Sequence, residues 1–220
     1  MRAVPVAALA LAAGSPFLPE KTKTTADVLA KQKITTAASI VWLVLPLVLS
    51  KSEILKQIKK GNIRITPFRP ENVGAVSVDL RLGGWVRVFH DINARFAVEE
   101  AAYFSKRFQQ HTKKVRLGRG GMVLPPKQLV LGATKERIAL SGCICGKIEG
   151  RSRFARMGLM VHVSSSLVQP GVDNVQVLEI LNLSPFELVL LPGAKICQIM
   201  FEEVQGEAEY SGNFKKQRGV

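Results

Sequence analysis

Hydrophobic and polar residues alternate over short stretches through most of the chain, and turn residues separate these stretches roughly every ten residues. The clearest stretches are VSVDLRLGGWVRVF, GGMVLPPKQLVLGATKERIAL, MGLMVHVSSSLVQPG, VQVLEILNL and FELVLLPGAKICQIMFEEV. Alternation with a period of two is typical of strands that have one buried face. The pattern therefore predicts a mainly β protein, either a barrel or a jelly roll.

Two segments depart from this strand pattern. SKSEILKQIKKGNIRI predicts a short N-terminal helix that begins after an N-cap at Ser50 or Ser52 and ends at Gly61. Its apolar positions are expected on one face of that helix: Ile54, Leu55 and Ile58. The second segment, HDINARFAVEEAAYFSKRFQQHTKKV, predicts a helical or loop insertion near residues 90–116.

The first 47 residues differ in character from the rest, which predicts an N-terminal extension (1–47) followed by one domain (48–220). Residues 3–13 form a short apolar run that partly matches a secretory signal. Residues 34–50 carry no charge, but they contain Pro46 and fall short of a membrane span. A leader, a membrane anchor and a mistranslated upstream segment all remain open. Any membrane contact is expected only through this extension.

The net charge of +14 predicts an anionic partner, but it does not separate nucleotide, nucleic acid and membrane. Residues 1–47 contribute +3, so +11 remains on the domain. Aromatic residues make up only 6% of the chain, and no aromatic-basic strand of the RNP type is present. We therefore expect no specific nucleic-acid partner.

Three cysteines do not form a disulfide framework, which favours an intracellular, reducing compartment and leaves the location otherwise unknown. Cys143 and Cys145 could be half of a metal site. However, His90, His111 and His162 are distant in sequence, and the His-x-Glu and Pro-Cys-x-x-Cys elements of zinc deaminases are absent. We interpret the two residues as strand cysteines and predict no protein metal site.

Three arginines are concentrated in GRSRFAR, where Arg151, Arg153 and Arg156 surround Ser152. Guanidinium groups bind phosphate oxygens in a forked geometry that lysine does not offer. Taken alone, this run predicts either a phosphate site or an ordinary solvated turn.

A single carboxylate interrupts the apolar strand VQVLEILNL. Val175, Val177, Glu179 and Leu181 should share one face of this strand. An acid on such a face either lines a pocket, where it can shuttle protons, or lies in solvent at a sheet edge. Two other polar residues in apolar strands, Asp79 and His162, are expected to be structural.

Together, several ordered blocks resemble the dCTP deaminases of the trimeric dUTPase superfamily over roughly residues 49–220. These blocks are LSKSEILKQIKKGNIRI, GAVSVDLRLG, PPKQLVLGATKERIALSG, GRSRFARMGLMVHV, VQPGVDNVQVLEILN and YSGNFKKQRG. The resemblance implies a dUTPase-like β-clip, a distorted jelly-roll barrel with a short N-terminal helix. It also implies a homotrimer with interfacial sites, where one subunit supplies Arg151, Ser152 and Arg156 and its neighbour supplies Glu179.

The resemblance implies hydrolysis of dCTP to dUTP and ammonia, which supplies dUTP for thymidylate synthesis. Mg²⁺ would be bound through the triphosphate, and no zinc would take part. Glu179 would act as base and then acid, Ser152 would position the water, and Arg156 would orient Glu179. Arg151 and Ser152 would hold the triphosphate. The expected site residues are Arg151, Ser152, Arg153, Phe154, Ala155, Arg156, Gln169, Val177, Leu178, Glu179, Tyr210, Asn213 and Gln217.

The chain departs from the family pattern at several of these positions. Gln169 stands where the family has an aspartate before Pro-Gly, and an amide cannot act as a base. In the C-terminal tail, Tyr210 and Gln217 match the family, whereas Asn213 replaces a lysine and Phe214 replaces a tyrosine. Two alternatives remain: a dUTP diphosphatase or bifunctional deaminase, and a non-catalytic nucleotide-sensing or nucleic-acid-binding protein.

Overall fold

The computed structural model describes residues 48–90, 93–99 and 101–220. The expectations for residues 1–47 fall outside this range. The described helices are α1 (Lys51–Lys60), α2 (Lys106–Gln110) and α3 (Ser152–Ala155), with 3₁₀ turns at Pro70–Asn72 and Ala102–Phe104. The described strands are β1 (Ile63–Thr66), β2 (Val78–Phe89), β3 (Thr112–Arg116), β4 (Met122–Leu124), β5 (Leu129–Leu140), β6 (Ile144–Gly150), β7 (Leu159–Val161), β8 (Leu167–Val168), β9 (Asp173–Asn182), β10 (Leu188–Leu190) and β11 (Lys195–Glu203).

Nine of these strands form one curled antiparallel sheet. Its main path runs β7-β9-β5-β2-β11-β6-β8, while β1 pairs with β5 and β3 pairs with β2. Strand β5 changes partners along one edge, because β2 pairs with residues 130–134 and β1 with residues 137–140. Strands β4 and β10 form a separate two-stranded sheet. The predicted mainly β fold with a short N-terminal helix is confirmed.

The hydrophobic core lies on one face of the curled sheet, and β9 shows how the sequence sets that face. Leu178 and Ile180 are fully buried, whereas Val177 and Glu179 are half-buried on the opposite face. This alternation follows directly from the period of a strand. Large side chains from the other strands complete the core: Leu80, Leu82, Ile138, Ile148, Ile199 and Phe201.

Helix α1 has the predicted caps. The Ser50 side chain accepts a hydrogen bond from the Glu53 backbone N–H, and Gly61 ends the helix with a left-handed φ of 81°. The predicted apolar face was wrong at one position, because Leu55 is 38% exposed. Gln57 is buried instead, and its side-chain amide donates to Glu203 Oε1 at 3.3 Å.

The insertion near residues 90–116 is only partly as predicted. It contains a 3₁₀ turn and helix α2, but its last five residues form strand β3. Strand β1 was also not predicted, since its residues follow the helix in a segment that we interpreted as one unit.

Among the cysteines, Cys145 lies in β6 as predicted, while Cys143 immediately precedes that strand. Both are half-buried. Burial raises the pKa of the Cys145 thiol, and the nearby Glu202 carboxylate adds to the effect. Burial also raises the pKa of Cys197 far above its ordinary value. Within the described ranges, no three His, Cys, Asp or Glu side chains are grouped closely enough to hold a metal ion.

A buried ion pair joins β2 to β5. Arg81 Nε lies 2.6 Å from Glu136 Oε1, and the Arg81 backbone N–H donates to Glu136 Oε2 at 2.8 Å. Arg81 is 7% exposed and Glu136 is 1% exposed. The pair lies beside the register shifts of both strands, where regular backbone pairing is interrupted. It therefore holds the two strands together at the irregular part of their ladder.

Candidate active site

A pocket of about 480 Å³ opens on the face of the sheet opposite the core. Its floor comes from β5 and β9, through Leu131, Val177 and Glu179. The segment before β9, the insertion and the C-terminal tail supply its walls. This volume lies within the range typical of small-molecule sites.

Glu179 is the acidic group of this pocket. Its side chain is 28% exposed, but Oε2 is shielded from solvent and has no hydrogen-bond partner within the described residues. A carboxylate oxygen in this position retains its capacity to bind a ligand or to accept a proton. Strand β9 pairs with β5 on one edge and β7 on the other, so the backbone that carries Glu179 is held on both sides.

His162 lies next to this carboxylate. Its Nδ1 is 3.5 Å from Glu179 Oε2, and its backbone N–H donates to the Glu179 carbonyl at 2.8 Å. The ring is almost fully buried, and neither ring nitrogen has a hydrogen-bond partner within the described part of the chain. The backbone φ of 60° turns His162 out of the regular strand conformation. We expected a structural role from the sequence, so this proximity was missed.

The structure brings five of the expected site residues into the pocket. These are Gln169, Val177, Glu179, Tyr210 and Gln217. Leu178 is fully buried in the core on the other face of β9, so its side chain does not reach the pocket. Asn213 is not part of the pocket lining, although Phe214 next to it is.

The arginine turn lies outside this pocket. Arg151 precedes α3 and pairs with Asp79, with Nε 3.3 Å from Oδ1, and Lys195 Nζ lies 3.5 Å from the other oxygen of Asp79. Asp79 is therefore an ion-pair partner, in keeping with its expected structural role. Phe154 packs against the core. The remaining members of the turn are exposed: Ser152, Arg153, Ala155 and Arg156.

The C-terminal tail runs along β9 and forms one wall of the pocket. The backbone N–H of Asp173 donates to the Lys215 carbonyl at 2.9 Å, and that of Val175 donates to the Gln217 carbonyl at 3.1 Å. The Gln217 side-chain amide returns a hydrogen bond to the Val175 carbonyl at 3.3 Å. These contacts place Gln217 beside the strand that carries Glu179.

Aromatic side chains from the insertion form another wall, which the sequence did not predict. Tyr103 and Phe108 line the pocket together with Phe89 at the end of β2. Phe214 of the tail packs against this group, because its ring lies 5.9 Å from that of Tyr103. The run AYF in the insertion was the available signal, but its position next to the pocket depends on tertiary contacts.

Within one chain, the described lining of the pocket has few groups that could bind a phosphate. Among the described residues that line it, Glu179 is the acid and His162 the histidine, and none is lysine or arginine. The cations that could bind phosphate, including those of the arginine turn, lie elsewhere on the chain.

A family model described as dCTP deaminase-like matches residues 48–204. The chain belongs to the dCTP deaminase-like family. It is 39% identical over 163 residues to the dCTP deaminase of Marinomonas sp. (strain MWYL1), a match that covers 71% of this chain and 84% of that protein. It is 30% identical over 184 residues to a dCTP deaminase, dUMP-forming, of Kocuria rhizophila, which covers 79% and 92%.

A solved structure of 2'-deoxycytidine 5'-triphosphate deaminase from Agrobacterium tumefaciens shares the fold, with a TM-score of 0.57 and 20% identity. The match covers 72% of this chain and 49% of that chain. The predicted resemblance to dCTP deaminases, and with it the dUTPase-like fold, is confirmed. The names of the two sequence relatives differ in the product, since only the second is described as dUMP-forming.

Proposed function

We propose that the protein hydrolyses the 4-amino group of dCTP, so that dCTP and water give dUTP and ammonia. The observation that carries this proposal is the shielded Oε2 of Glu179, which has no hydrogen-bond partner within the described residues. Family membership supplies the substrate class, because the relatives are named as dCTP deaminases.

In the proposed mechanism, Glu179 first removes a proton from the water that attacks C4 of cytosine. It delivers this proton to N3, which leaves a tetrahedral carbon that carries a hydroxyl and the amino group. It then takes the hydroxyl proton and passes it to the amino nitrogen, so that the C4–N bond breaks, the C4 carbonyl forms and ammonia departs. A group that serves first as base and then as acid must keep its position throughout. The pairing of β9 on both edges supports this requirement. Ser152 is proposed to position the attacking water and Arg156 to orient the carboxylate.

The experiment that tests this mechanism is the Glu179→Gln variant, which keeps the shape of the side chain but removes the base. We expect ammonia release to fall by about 10²–10⁴-fold. Binding of dCTP, measured by calorimetry, should persist because the pocket walls are unchanged. Normal turnover of dCTP by this variant would contradict the role of Glu179.

Triphosphate binding requires cations, but none of the described residues that line the pocket of one chain is lysine or arginine. We propose that the protein is a homotrimer, and that Arg151, Ser152 and Arg156 of one subunit complete the pocket of the next. The exposure of Ser152 and Arg156 supports this arrangement, since these side chains are free to meet a second copy. The ion pair with Asp79 would hold Arg151 in a defined orientation. Arg153 has no assigned role.

We propose dUTP, rather than dUMP, as the product. Gln169 lines the pocket immediately before Pro170-Gly171, and its amide cannot activate a water for attack on a phosphate. It can donate to and accept from a sugar hydroxyl. The second candidate is a bifunctional enzyme that also releases pyrophosphate, which the dUMP-forming relatives favour. Whether it is dUTP or dUMP, the product would supply thymidylate synthesis.

Mg²⁺ enters this proposal as part of the substrate, chelated by the triphosphate. In this proposal the phosphate oxygens are its ligands, since a hard cation such as Mg²⁺ prefers oxygen ligands. No zinc is assigned to the reacting carbon. Chelator-treated enzyme should regain full activity with Mg²⁺ alone, and a requirement for added zinc would contradict this assignment.

A further inference from the structure

Positive charge is concentrated in one part of the sequence. Residues 101–135 contain eight lysines or arginines and no acidic residue, so they contribute +8 of the net +14. By comparison, residues 136–220 contain nine basic and nine acidic residues, and their net charge is zero. More than half of the net positive charge of the chain therefore lies in the insertion and in the strands that follow it.

These cations are exposed and lack acidic partners. All eight are exposed, and none forms an ion pair with a carboxylate of the described residues. Elsewhere the chain does pair its surface lysines, as in Lys56 with Glu53 and Lys147 with Glu149. Uncompensated repulsion among like charges opposes the compact state. An anionic partner would offset this repulsion.

The pairing of β2 with β3 organises part of this charge on one face. Trp85 lies opposite Arg116, and Arg87 lies opposite Lys114. Residues directly opposite each other in an antiparallel pair point to the same side of the sheet. The alternate position, Val86, is fully buried, so the face with Trp85, Arg87, Lys114 and Arg116 is turned away from the core. We call these four residues the basic face.

An aromatic ring is exposed on the basic face. Trp85 is 45% exposed, which is unusual for so large an apolar side chain. Lys114 Nζ lies 5.3 Å from the centre of its ring, so a cation is held directly at the ring. Strand β3 pairs only with β2 among the described strands, and one edge of the basic face is therefore open.

We propose that the basic face binds single-stranded nucleic acid without preference for base sequence. Proteins that bind single strands combine a row of cations along the backbone with aromatic rings on which bases stack. Lys114 and Arg116 would neutralise successive phosphates, while Trp85 stacks on a base between them. The low overall aromatic content does not oppose this, because stacking requires only one well-placed ring.

The observations favour a single strand over a membrane surface. Membrane-surface segments are typically amphipathic helices that bury several large apolar side chains. Here the cations lie on a flat strand pair, and helix α2 next to them has only five residues. The basic face lies on the same side of the sheet as the pocket, because Arg87 is opposite Leu131 of the pocket floor. None of its four residues lines the pocket itself.

The test is fluorescence anisotropy of a labelled oligo(dT) with the full chain across a range of salt concentrations. The face variant is Lys114→Gln, Arg116→Gln. The matched control is Lys59→Gln, Lys60→Gln on α1, which removes the same charge from exposed positions. We expect the face variant to lower the slope of log K against log salt by about 1–2, and the control to leave it unchanged.

Trp85→Ala separates stacking from charge. We expect it to weaken oligo(dT) binding by about tenfold while the salt slope stays the same. Equal oligo(dT) binding by the face and control variants would overturn the proposal. So would displacement of oligo(dT) by dCTP at concentrations that saturate deamination, because the cations would then serve the nucleotide. Binding to anionic vesicles but not to oligo(dT) would also overturn it. If the face variant does not fold, Lys114→Gln alone, compared with Lys59→Gln, tests the same surface.

Discussion

The rings of Phe104 and Phe214 stack with their centroids 5.7 Å apart and their planes at 24°. This contact joins the insertion to the C-terminal tail, two segments that are far apart in sequence. Tyr103 adds an edge contact to the same Phe214 ring. Because the tail is also hydrogen-bonded to β9, the insertion and the tail together close one side of the pocket.

Phe104→Ala should therefore loosen the tail. Aromatic pairs contribute about 0.5–1.5 kcal/mol beyond area burial, so we expect a rise of roughly 2- to 12-fold in the KM for dCTP. The kcat should change little, because Glu179 lines the pocket whereas Phe104 does not. Steady-state ammonia release measures both constants. Phe186→Ala is the matched control, since Phe186 has the same 52% exposure but its ring stacks on neither the insertion nor the tail among the described residues. An unchanged KM in Phe104→Ala would show that the contact between the insertion and the tail does not contribute to dCTP binding.

A shared active site predicts complementation between two inactive variants. We expect Glu179→Gln and Arg156→Ala to be inactive alone, and their co-expressed mixture to regain activity at about a quarter of the sites of a random homotrimer. Only an interface with an intact arginine on one subunit and an intact carboxylate on the next would be active. Size-exclusion chromatography must show the same assembly for the mixture and the parent protein. A mixture as inactive as its components would place the site within one subunit.

The product can be determined by following ammonia and pyrophosphate together. With dCTP as substrate, we expect ammonia without pyrophosphate, because Gln169 cannot activate a water. Gln169→Asp should add pyrophosphate release, because the carboxylate can activate a water. Gln169→Asn should not, because asparagine has the size of aspartate but no charge. Equal amounts of ammonia and pyrophosphate from the parent protein would instead identify a dUMP-forming enzyme.

The buried ion pair predicts a large effect on stability. Glu136→Gln should lower the free energy of unfolding by about 3–5 kcal/mol, because Arg81 would then carry an uncompensated buried charge. Glu149→Gln, in the exposed pair with Lys147, should change it by less than about 1 kcal/mol. Urea unfolding followed by circular dichroism measures both. Similar effects of the two substitutions would show that the burial of Arg81 is compensated in another way.

The sequence predicted the elements whose patterns are local. The caps of α1 depend on residues within a few positions, and the face of Glu179 follows from strand parity in β9. Strand β3 was missed because TKKVR is mostly polar, as an edge strand with one solvated face can be. The approach of His162 to Glu179 depends on a positive φ in a residue that is not glycine, which no periodicity reveals.

The surroundings of the Glu179 carboxylate were less predictable, because they depend on contacts between segments that are distant in sequence. Alternation placed Glu179 and Val177 on a common face, but it could not identify what covers that face. Tyr103, Phe108 and Phe214 come from short segments outside the sheet, and their rings contact one another. The resemblance to a family predicted that the C-terminal tail contributes to the site, whereas nothing in the hydrophobic pattern predicted a contribution from the insertion.

The floor of the pocket belongs to the sheet, whereas its outer wall comes from short segments outside the sheet. Glu179 stands on a strand that is hydrogen-bonded along both edges, whereas Tyr103 and Phe214 belong to short segments outside the sheet whose rings contact each other. A combinatorial library confined to residues 101–110 and 210–217 can therefore vary the contour presented to a nucleobase while the reacting carboxyl group keeps its place.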